Sequence, residues 1–373
     1  MASDVTTEQK TRNAKGRSVN IDGIDHVEFY VGDAQQWAFS LCTAFGFRLV
    51  GQAGPDTGLD GRRSLLLSQG GTWIVLTSAL TADHPVADYV SRHGDGVAGI
   101  AFEVSDAVRA HTEAVRAGAV SVSEPVTHAR CGTEVTTATV AGFGDVTHTF
   151  VQRVGDRTEF LPGVMDVFAA DPDGPEALIS VVDHAAVCLP AGQLDETVAF
   201  YEKVFGFSQI FEEFIEVGEQ AMDSKVVQSP SGKVTFTLIQ PVPGRRPGQI
   251  DDFIARHGGA GVQHLALLSD DIIATVETLK SRGVPFLDTP ATYYDELEQR
   301  LGRTDLRLDD LRRTNVLVDR DHWGQVFQIF ARSMHVRQTF FWEVIDRHGA
   351  RTFGSGNIKA LYEAVAREET ARV

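Results

Sequence analysis

The 373-residue sequence predicts an α+β protein made of tandem, paired βαβββ modules, two in each half of the chain. Three observations predict this. The chain repeats itself, each copy alternates strand-like and helix-like segments in the same order, and a stretch bearing prolines and glycines separates the copies. IDGIDHVEFYV (Ile21–Val31) resembles VVDHAAVCLP (Val181–Pro190), which aligns Asp25-His26 with Asp183-His184. Phe45-Gly46-Phe47 aligns with Phe205-Gly206-Phe207, and HGDGVAGIAFEVSD from His93 aligns with HGGAGVQHLALLSD from His257. Gly118 and Pro125 likewise match Gly283 and Pro290. The offsets stay between 158 and 165 residues, so short insertions alone separate two copies of one duplicated unit.

Taken in order, residues 1–20 are polar, lack the apolar centre of a signal peptide, and read as a mobile tail. Residues 21–154 form the first half. Its strands show as short β-branched and aromatic runs such as Thr72–Thr77. Residues 155–180 hold Pro162, Pro172 and Pro175 among acidic residues and glycines, and read as a linker. Residues 181–373 form the second half, with helices expected at Leu194–Val204 and Asp271–Lys280, where apolar residues recur with the helical period. A last amphipathic helix, Ile358–Glu369, follows the glycine-rich run Phe353-Gly354-Ser355-Gly356-Asn357 and would close the second half.

Composition narrows the function. A formal charge of −17 argues against nucleic acid, whose phosphates an acidic surface repels. No apolar run approaches the length of a membrane span. Cys42, Cys131 and Cys188 are odd in number and show no CxxC spacing, which suits a reducing cytoplasm and neither a disulfide framework nor a thiolate zinc site.

Among the twelve histidines, two stand in settings that suggest a ligand. His184 lies in VVDHAAVCL on the strand face shared with Ala186 and Cys188, and His264 lies in GVQHLALL with Val262 and Ala266. Glu343 lies in QTFFWEVI, a run without lysine or arginine. An ionised carboxylate inside such a run costs several kcal/mol unless a cation compensates it. Two imidazoles and one carboxylate with open positions make the facial triad of non-haem Fe(II) oxygenases. On pattern alone, two core histidines and a backbone-bonded glutamate explain the same residues. The first half could not build the same triad, because Gly99 aligns with His264, and His26 there reads as structural.

Paired βαβββ modules of this kind resemble the vicinal oxygen chelate superfamily, whose curved sheets form open, barrel-like half-shells. Longer matches narrow the resemblance. GGAGVQHLAL (Gly258–Leu267), TPATYYDELEQRL (Thr289–Leu301), FQIF (Phe327–Phe330) and FFWEVIDRHGARTFGSGNIKALYEAV (Phe340–Val365) resemble the 4-hydroxyphenylpyruvate dioxygenase family. The resemblance implies that His184, His264 and Glu343 bind Fe(II). It also implies that the substrates are 4-hydroxyphenylpyruvate and O2, and that the first half forms a homodimer or tetramer. Ser224, Thr237, Gln249 and Gln328 would be polar substrate contacts, with Phe341, Phe353 and Asn357 as wall and lid. For each of the aromatics, plain core packing is the competing reading.

The family has two outcomes, ring oxidation to homogentisate and benzylic oxidation to 4-hydroxymandelate. Where the homogentisate enzymes commonly read Pro-Ile-Asn-Glu-Pro, this chain reads Thr237-Leu238-Ile239-Gln240-Pro241, and Ile358 replaces the phenylalanine after the Gly-Asn pair. With AMDSKVVQS (Ala221–Ser229), these are similar to the mandelate-forming branch. Exchanging an amide for Ile239 removes groups able to grip a phenol, and Ile358 opens space for the ring to tilt. The rivals are the homogentisate enzyme and a metal-free small-molecule binder of the same fold. The family commonly has Phe or Leu where Trp342 stands, and the sequence does not say which face of its strand Trp342 takes.

Overall fold

A computed structural model describes residues 19–155, 159–169, 176–354 and 356–357. The expected C-terminal helix and Ile358 lie outside these residues, as does most of the N-terminal tail. Val19, which the sequence groups with that tail, is buried and belongs to the core.

The first half begins with β1 (Ile21–Tyr30), whose burial alternates strictly along its length, as a strand covered differently on its two faces must. Helix α1 (Ala34–Ser40) is capped by the Asp33 carboxylate, which accepts from the Gln35 and Gln36 amides. It runs into a π-turn (Leu41–Phe45) that stops at Gly46, where φ is +82° and a side chain would be strained. Strands β2 (Arg48–Ala53), β3 (Arg62–Gln69) and β4 (Thr72–Ala79) complete the first module. After α2 (Pro85–His93) comes the second module: β5 (Gly96–Val104), α3 (Ala107–Ala117), β6 (Ser121–Arg130), β7 (Thr133–Ala141) and β8 (Thr147–Val154). A two-residue strand, β9 (Asp166–Val167), follows.

The second half repeats the order. It has β10 (Val182–Cys188), α4 (Leu194–Phe200), β11 (Ser208–Val217), β12 (Gln220–Gln228) and β13 (Thr235–Pro241), then α5 (Gln249–His257), β14 (Gly261–Leu268) and α6 (Ile272–Ser281). Here the copies diverge, because three short helices, α7 (Ala291–Asp295), α8 (Leu297–Leu301) and α9 (Leu308–Thr314), precede the last strands. Those strands are β15 (Leu317–Arg320), β16 (Gln325–Phe330) and β17 (Phe341–His348). Aspartates at corresponding points of the two copies start helices: Asp106 caps α3, and Asp271, one residue past the aligned Asp270, caps α6. The helix expected over Leu194–Val204 is α4 plus a π-turn that ends at Gly206, the twin of the α1 turn.

Two curled mixed sheets result, in the orders β6-β7-β8-β5-β1-β4-β3-β2-β9 and β11-β12-β13-β10-β14-β17-β16-β15. One face of each joins a core common to both halves. Phe29 of β1 meets Phe340 and Trp342 at ring distances of 5.1 and 5.7 Å, and Phe102 of β5 meets Phe205 and Phe236. Trp342 thus faces this shared core, away from Glu343, and is 2% exposed. Burying each such ring contributes roughly 1.5–3 kcal/mol.

The other faces differ. In the first sheet that face is filled by the chain itself. Phe160, Leu161 and Met165 pack on Leu66, Trp73, Val75, Ala101, Val135 and Val151, while β9 pairs with β2. Much of the stretch expected as a linker is therefore packing material of the first half. In the second sheet, among the described residues, two separate apolar clusters lie toward the ends of the same face, the second reaching in to Ala266 beside the centre. Cys188, Met222 and Phe253 gather at one end, and Ala266, Val326, Ile345 and Ala350 gather at the other.

Candidate active site

The space between those two ends is where the singled-out residues meet. Strand pairing sets Ala186 opposite His264, and Ala266 opposite both His184 and Glu343. Directly paired residues project to one face, so three side chains distant in sequence converge. Glu343 Oε2 lies 3.2 Å from His264 Nε2 and 3.6 Å from His184 Nε2. Donor atoms of the three lie within 4.8 Å of one another, and among the described residues no other group of histidine, cysteine and acidic side chains does so.

Each ring is oriented differently. His184 Nδ1 lies 2.8 Å from Asp183 Oδ2, an acceptor only, so the ring carries its proton there and turns a lone pair at Nε2 toward the centre. Asp183 is gripped in turn by Arg347, whose Nε and Nη2 each donate at 2.7 Å. Burial pushes the Asp183 carboxyl up, but the bonds from Arg347 and His184 outweigh it and hold the group well below the usual carboxylate range. His264 has no hydrogen bond at Nδ1 and instead stacks on Phe341, ring centroids 4.9 Å apart. Burial lowers its pKa despite Glu343 beside it, which favours the neutral ring, with one nitrogen lone pair available to a metal.

The donor set fits a divalent metal. Glu343 is 2% exposed, and the groups within ion-pair distance of it are the two imidazoles. Arg347, four residues along the same strand face, is the nearest sequence cation. Its bidentate grip goes to Asp183 and it acts on Glu343 only through space, beyond ion-pair distance, so a cation held by the three donors would compensate Glu343 directly. Ligand atoms about 2.1 Å from a shared ion and at right angles would lie about 3 Å apart, close to the separations seen.

Around this centre, Thr237 and Ile239 lie on the same face through their pairing with Ala186 and Cys188, and Ser224 joins them opposite Ile239. Leu238 and Gln240 point the other way, and Gln240 accepts from the Gly192 and Leu194 amides at the start of α4. Gln328, paired with Ile345, is 1% exposed with its Oε1 unpartnered, and its amide lies against Gly354. Phe353 sets its ring edge-on to His184 at 5.0 Å. Asn357 is buried and accepts from the Tyr293 hydroxyl at 2.6 Å, with its own Nδ2 unpartnered. Gln249 departs from the set, since it is exposed at the first turn of α5. Sequence reasoning passed over Asp183, Arg347, Tyr293 and Phe330, whose ring meets His264 edge-on at 6.0 Å; the repeated Asp-His pair was the signal available for the first.

In the first half, the register places Gly99 opposite Glu28 where the second half has His264 opposite Ala186. Thr149, paired with Ala101, stands where Glu343 pairs with Ala266. Two of three donors have no counterpart there.

This fold and donor set define a member of the glyoxalase/bleomycin resistance protein/dioxygenase superfamily, whose family model matches residues 23–150 and 181–327. Within it the chain is a dioxygenase of the 4-hydroxyphenylpyruvate dioxygenase family. It is 37% identical to the 4-hydroxyphenylpyruvate dioxygenase of Dictyostelium discoideum over 94% of this chain and 99% of that one. With the Yarrowia lipolytica enzyme of the same name it shares 33% identity over 94% of this chain and 93% of the other. Among solved structures, a triple mutant of 4-hydroxymandelate synthase from Streptomyces coelicolor superposes with a TM-score of 0.83. That match has 46% identity and covers 94% of this chain and 99% of the other.

Proposed function

We propose that this dioxygenase is Fe(II)-dependent and converts 4-hydroxyphenylpyruvate and O2 to 4-hydroxymandelate and CO2. The observation that carries the reading is the convergence of His184, His264 and Glu343 on one buried oxygen-and-nitrogen donor set. Two imidazoles and one carboxylate suit Fe(II) and leave adjacent positions open. Bound there, Fe(II) supplies O2 activation coupled to oxidative loss of CO2 from the substrate's own 2-oxo acid.

The chain's residues do the rest. The apolar ends of the site face exclude water that would quench a strong oxidant. Phe341 and Phe353 wall the space beside the two imidazoles. Gln328 Oε1 offers a buried acceptor and Asn357 Nδ2 a buried donor, both suited to orienting a polar substrate. Ser224, Thr237 and Ile239 line the far strands of the same face. Ile239 packs with Cys188 and Met222, so the wall facing the ring is apolar where the homogentisate enzymes place an amide. A phenol gripped less firmly there lets the ring sit back and the benzylic carbon approach the oxidant. Ile358 keeps the substrate-side role the family resemblance implies, as part of this proposal, while Gln249, exposed at the first turn of α5, is left out of it.

The names of the relatives at 33–37% identity give the substrate and not the product, whereas the structural neighbour at 46% is a 4-hydroxymandelate synthase variant, which supports the 4-hydroxymandelate outcome over the homogentisate one. Product analysis decides between them. With 4-hydroxyphenylpyruvate and O2, 4-hydroxymandelate is the expected main product. A barrier difference of about 1.4 kcal/mol already gives tenfold selectivity, so Ile239→Asn should raise the homogentisate fraction several-fold. Homogentisate as the main wild-type product would reject the proposal, and an unmoved ratio in Ile239→Asn would reject its account of selectivity.

A further inference from the structure

The two halves share one side-chain constellation. In the first, His26 Nδ1 lies 2.7 Å from Asp25 Oδ1, and Arg153 grips Asp25 through Nε and Nη2 at 2.7 Å each. The Arg153 guanidinium sits 4.8 Å from the Phe160 ring, which meets His26 edge-on at 5.1 Å. In the second, Arg347 holds Asp183, lies 5.0 Å from the Phe353 ring, and that ring meets His184 edge-on at 5.0 Å. The same four residue types thus occupy equivalent places, with metal-type donors completing the set only in the second half.

Each arginine also holds the segment that bears its ring: Arg153 Nη1 donates to the Phe160 carbonyl at 2.5 Å, and Arg347 does the equivalent in the second half. Its Nη1 donates to the Thr352 carbonyl at 2.7 Å and to the Ala350 carbonyl at 3.3 Å. The same loop is held from its other side by Asp321, which accepts from the Arg351 and Thr352 amides. One guanidinium therefore joins the carboxylate behind His184 to the loop that carries Phe353.

We infer that Asp183 and Arg347 are positioning residues, which fix the proton of His184 on Nδ1 and lock its ring to the loop 350–353 that walls the site. The inference rests on the metal reading above. A carboxylate behind Nδ1 accepts only, so it forces the proton onto that nitrogen and leaves Nε2 a donor toward the metal. An amide in its place can present N–H groups instead, which favours the opposite tautomer and puts a proton where the metal must bind. The duplicated constellation explains why geometry alone is not enough to assign this role, since the fold builds it without the other donors. It also supplies the internal control.

The test is anaerobic Fe(II) titration of the metal-free full chain, with the melting temperature of each metal-free variant measured alongside. Wild type and His264→Ala come first. If wild type binds no Fe(II), or His264→Ala binds it as tightly, the metal reading itself fails. With that reading standing, Asp183→Asn should weaken Fe(II) binding at least tenfold. Asp25→Asn, which breaks the same contact in the first half, should lower the metal-free melting temperature comparably yet leave Fe(II) affinity within twofold. Arg347→Lys keeps the charge but loses the bidentate grip, and its affinity should fall between Asp183→Asn and wild type. Should Asp183→Asn fail to fold, Arg347→Lys is judged on its own, with at least a threefold weakening expected. Affinity within twofold of wild type in Asp183→Asn, or an equal loss in Asp25→Asn, overturns the inference.

Discussion

Single residues carry the chemistry, and those that stood out in the sequence were those whose placement is costly. A glutamate in an aromatic run and two histidines in apolar strands call for an explanation that an isolated polar residue on a surface does not. The structure brings all three to one point. Asp183 and Arg347 were illegible for the opposite reason. Each satisfies the other across 164 positions of sequence, so neither looks anomalous in its own segment. Trp342 shows a third case. Its type was evident, but only the pairing of Trp342 with Leu265 assigns it to the shared core and not to the site. At this scale, changing His184, His264 or Glu343 to Ala should abolish turnover and bring bound iron to a small fraction of wild type while the fold persists. Iron analysis of anaerobically purified variants with circular dichroism checks it. Substantial CO2 release coupled to O2 uptake in His264→Ala would sink the assignment.

Elements decide which residues can meet, and the repeat made most of them legible. Helix caps at Asp106 and Asp271 and the glycine stops at Gly46 and Gly206 follow from local chemistry, so their boundaries could be read nearly directly. Two features could not be read locally. The insertion α7–α9 has no copy in the first half, and Phe160 to Met165 looks like connecting chain until its apolar residues find the open face of the first sheet. The loop at Phe353 is the second half's counterpart of that filling, and among the described residues it sets one ring against the face, edge-on to His184. Gly354 is what allows it to lie there. Its φ is +71°, and an added Cβ would fall 2.1 Å from Gln328 Oε1. Gly354→Ala must therefore shift the loop, the glutamine or both, and misplacement near 1 Å can cost on the order of a hundredfold in rate. We expect Gly354→Ala to bind Fe(II) normally and lose at least about tenfold in kcat/KM for 4-hydroxyphenylpyruvate. A kcat/KM within twofold of wild type would show that the loop's position does not matter to the substrate.

At the scale of the whole molecule, the halves are joined by a core that includes buried imidazoles, and this makes the assembly sensitive to acid. His148 of the first half is fully buried, donates from Nδ1 to the Ile100 carbonyl at 3.2 Å, and accepts at Nε2 from the Tyr201 hydroxyl of the second half at 2.6 Å. His257 stacks on His93 across the same junction with ring centroids 4.5 Å apart. Burial drops the pKa of His148 to about 4, and burial together with the neighbouring His93 does the same for His257. The ordinary value of 6.5 applies to the unfolded chain. Between these values the unfolded state binds more protons than the folded one, so stability falls as pH falls from about 6.5 to about 4 and is level above that window. Each histidine can withdraw up to about 3 kcal/mol across the window, a large part of the roughly 5–15 kcal/mol typical of a folded domain. Asp25 and Asp183 act later. Their pKa values are held below 3.8, so their contribution is lost only as pH drops beneath that value. Thermal melts of the metal-free protein from pH 7.5 to 4 should therefore show a plateau and then a steady decline beginning near pH 6.5. In His148→Gln, which removes one of several buried rings with a lowered pKa (His257, His264 and His335 are the others), the protein should be less stable at pH 7 but its decline should be shallower than that of wild type. A wild-type melting temperature that stays flat down to pH 4.5 would mean that these rings are already protonated, or already solvated, in the folded state.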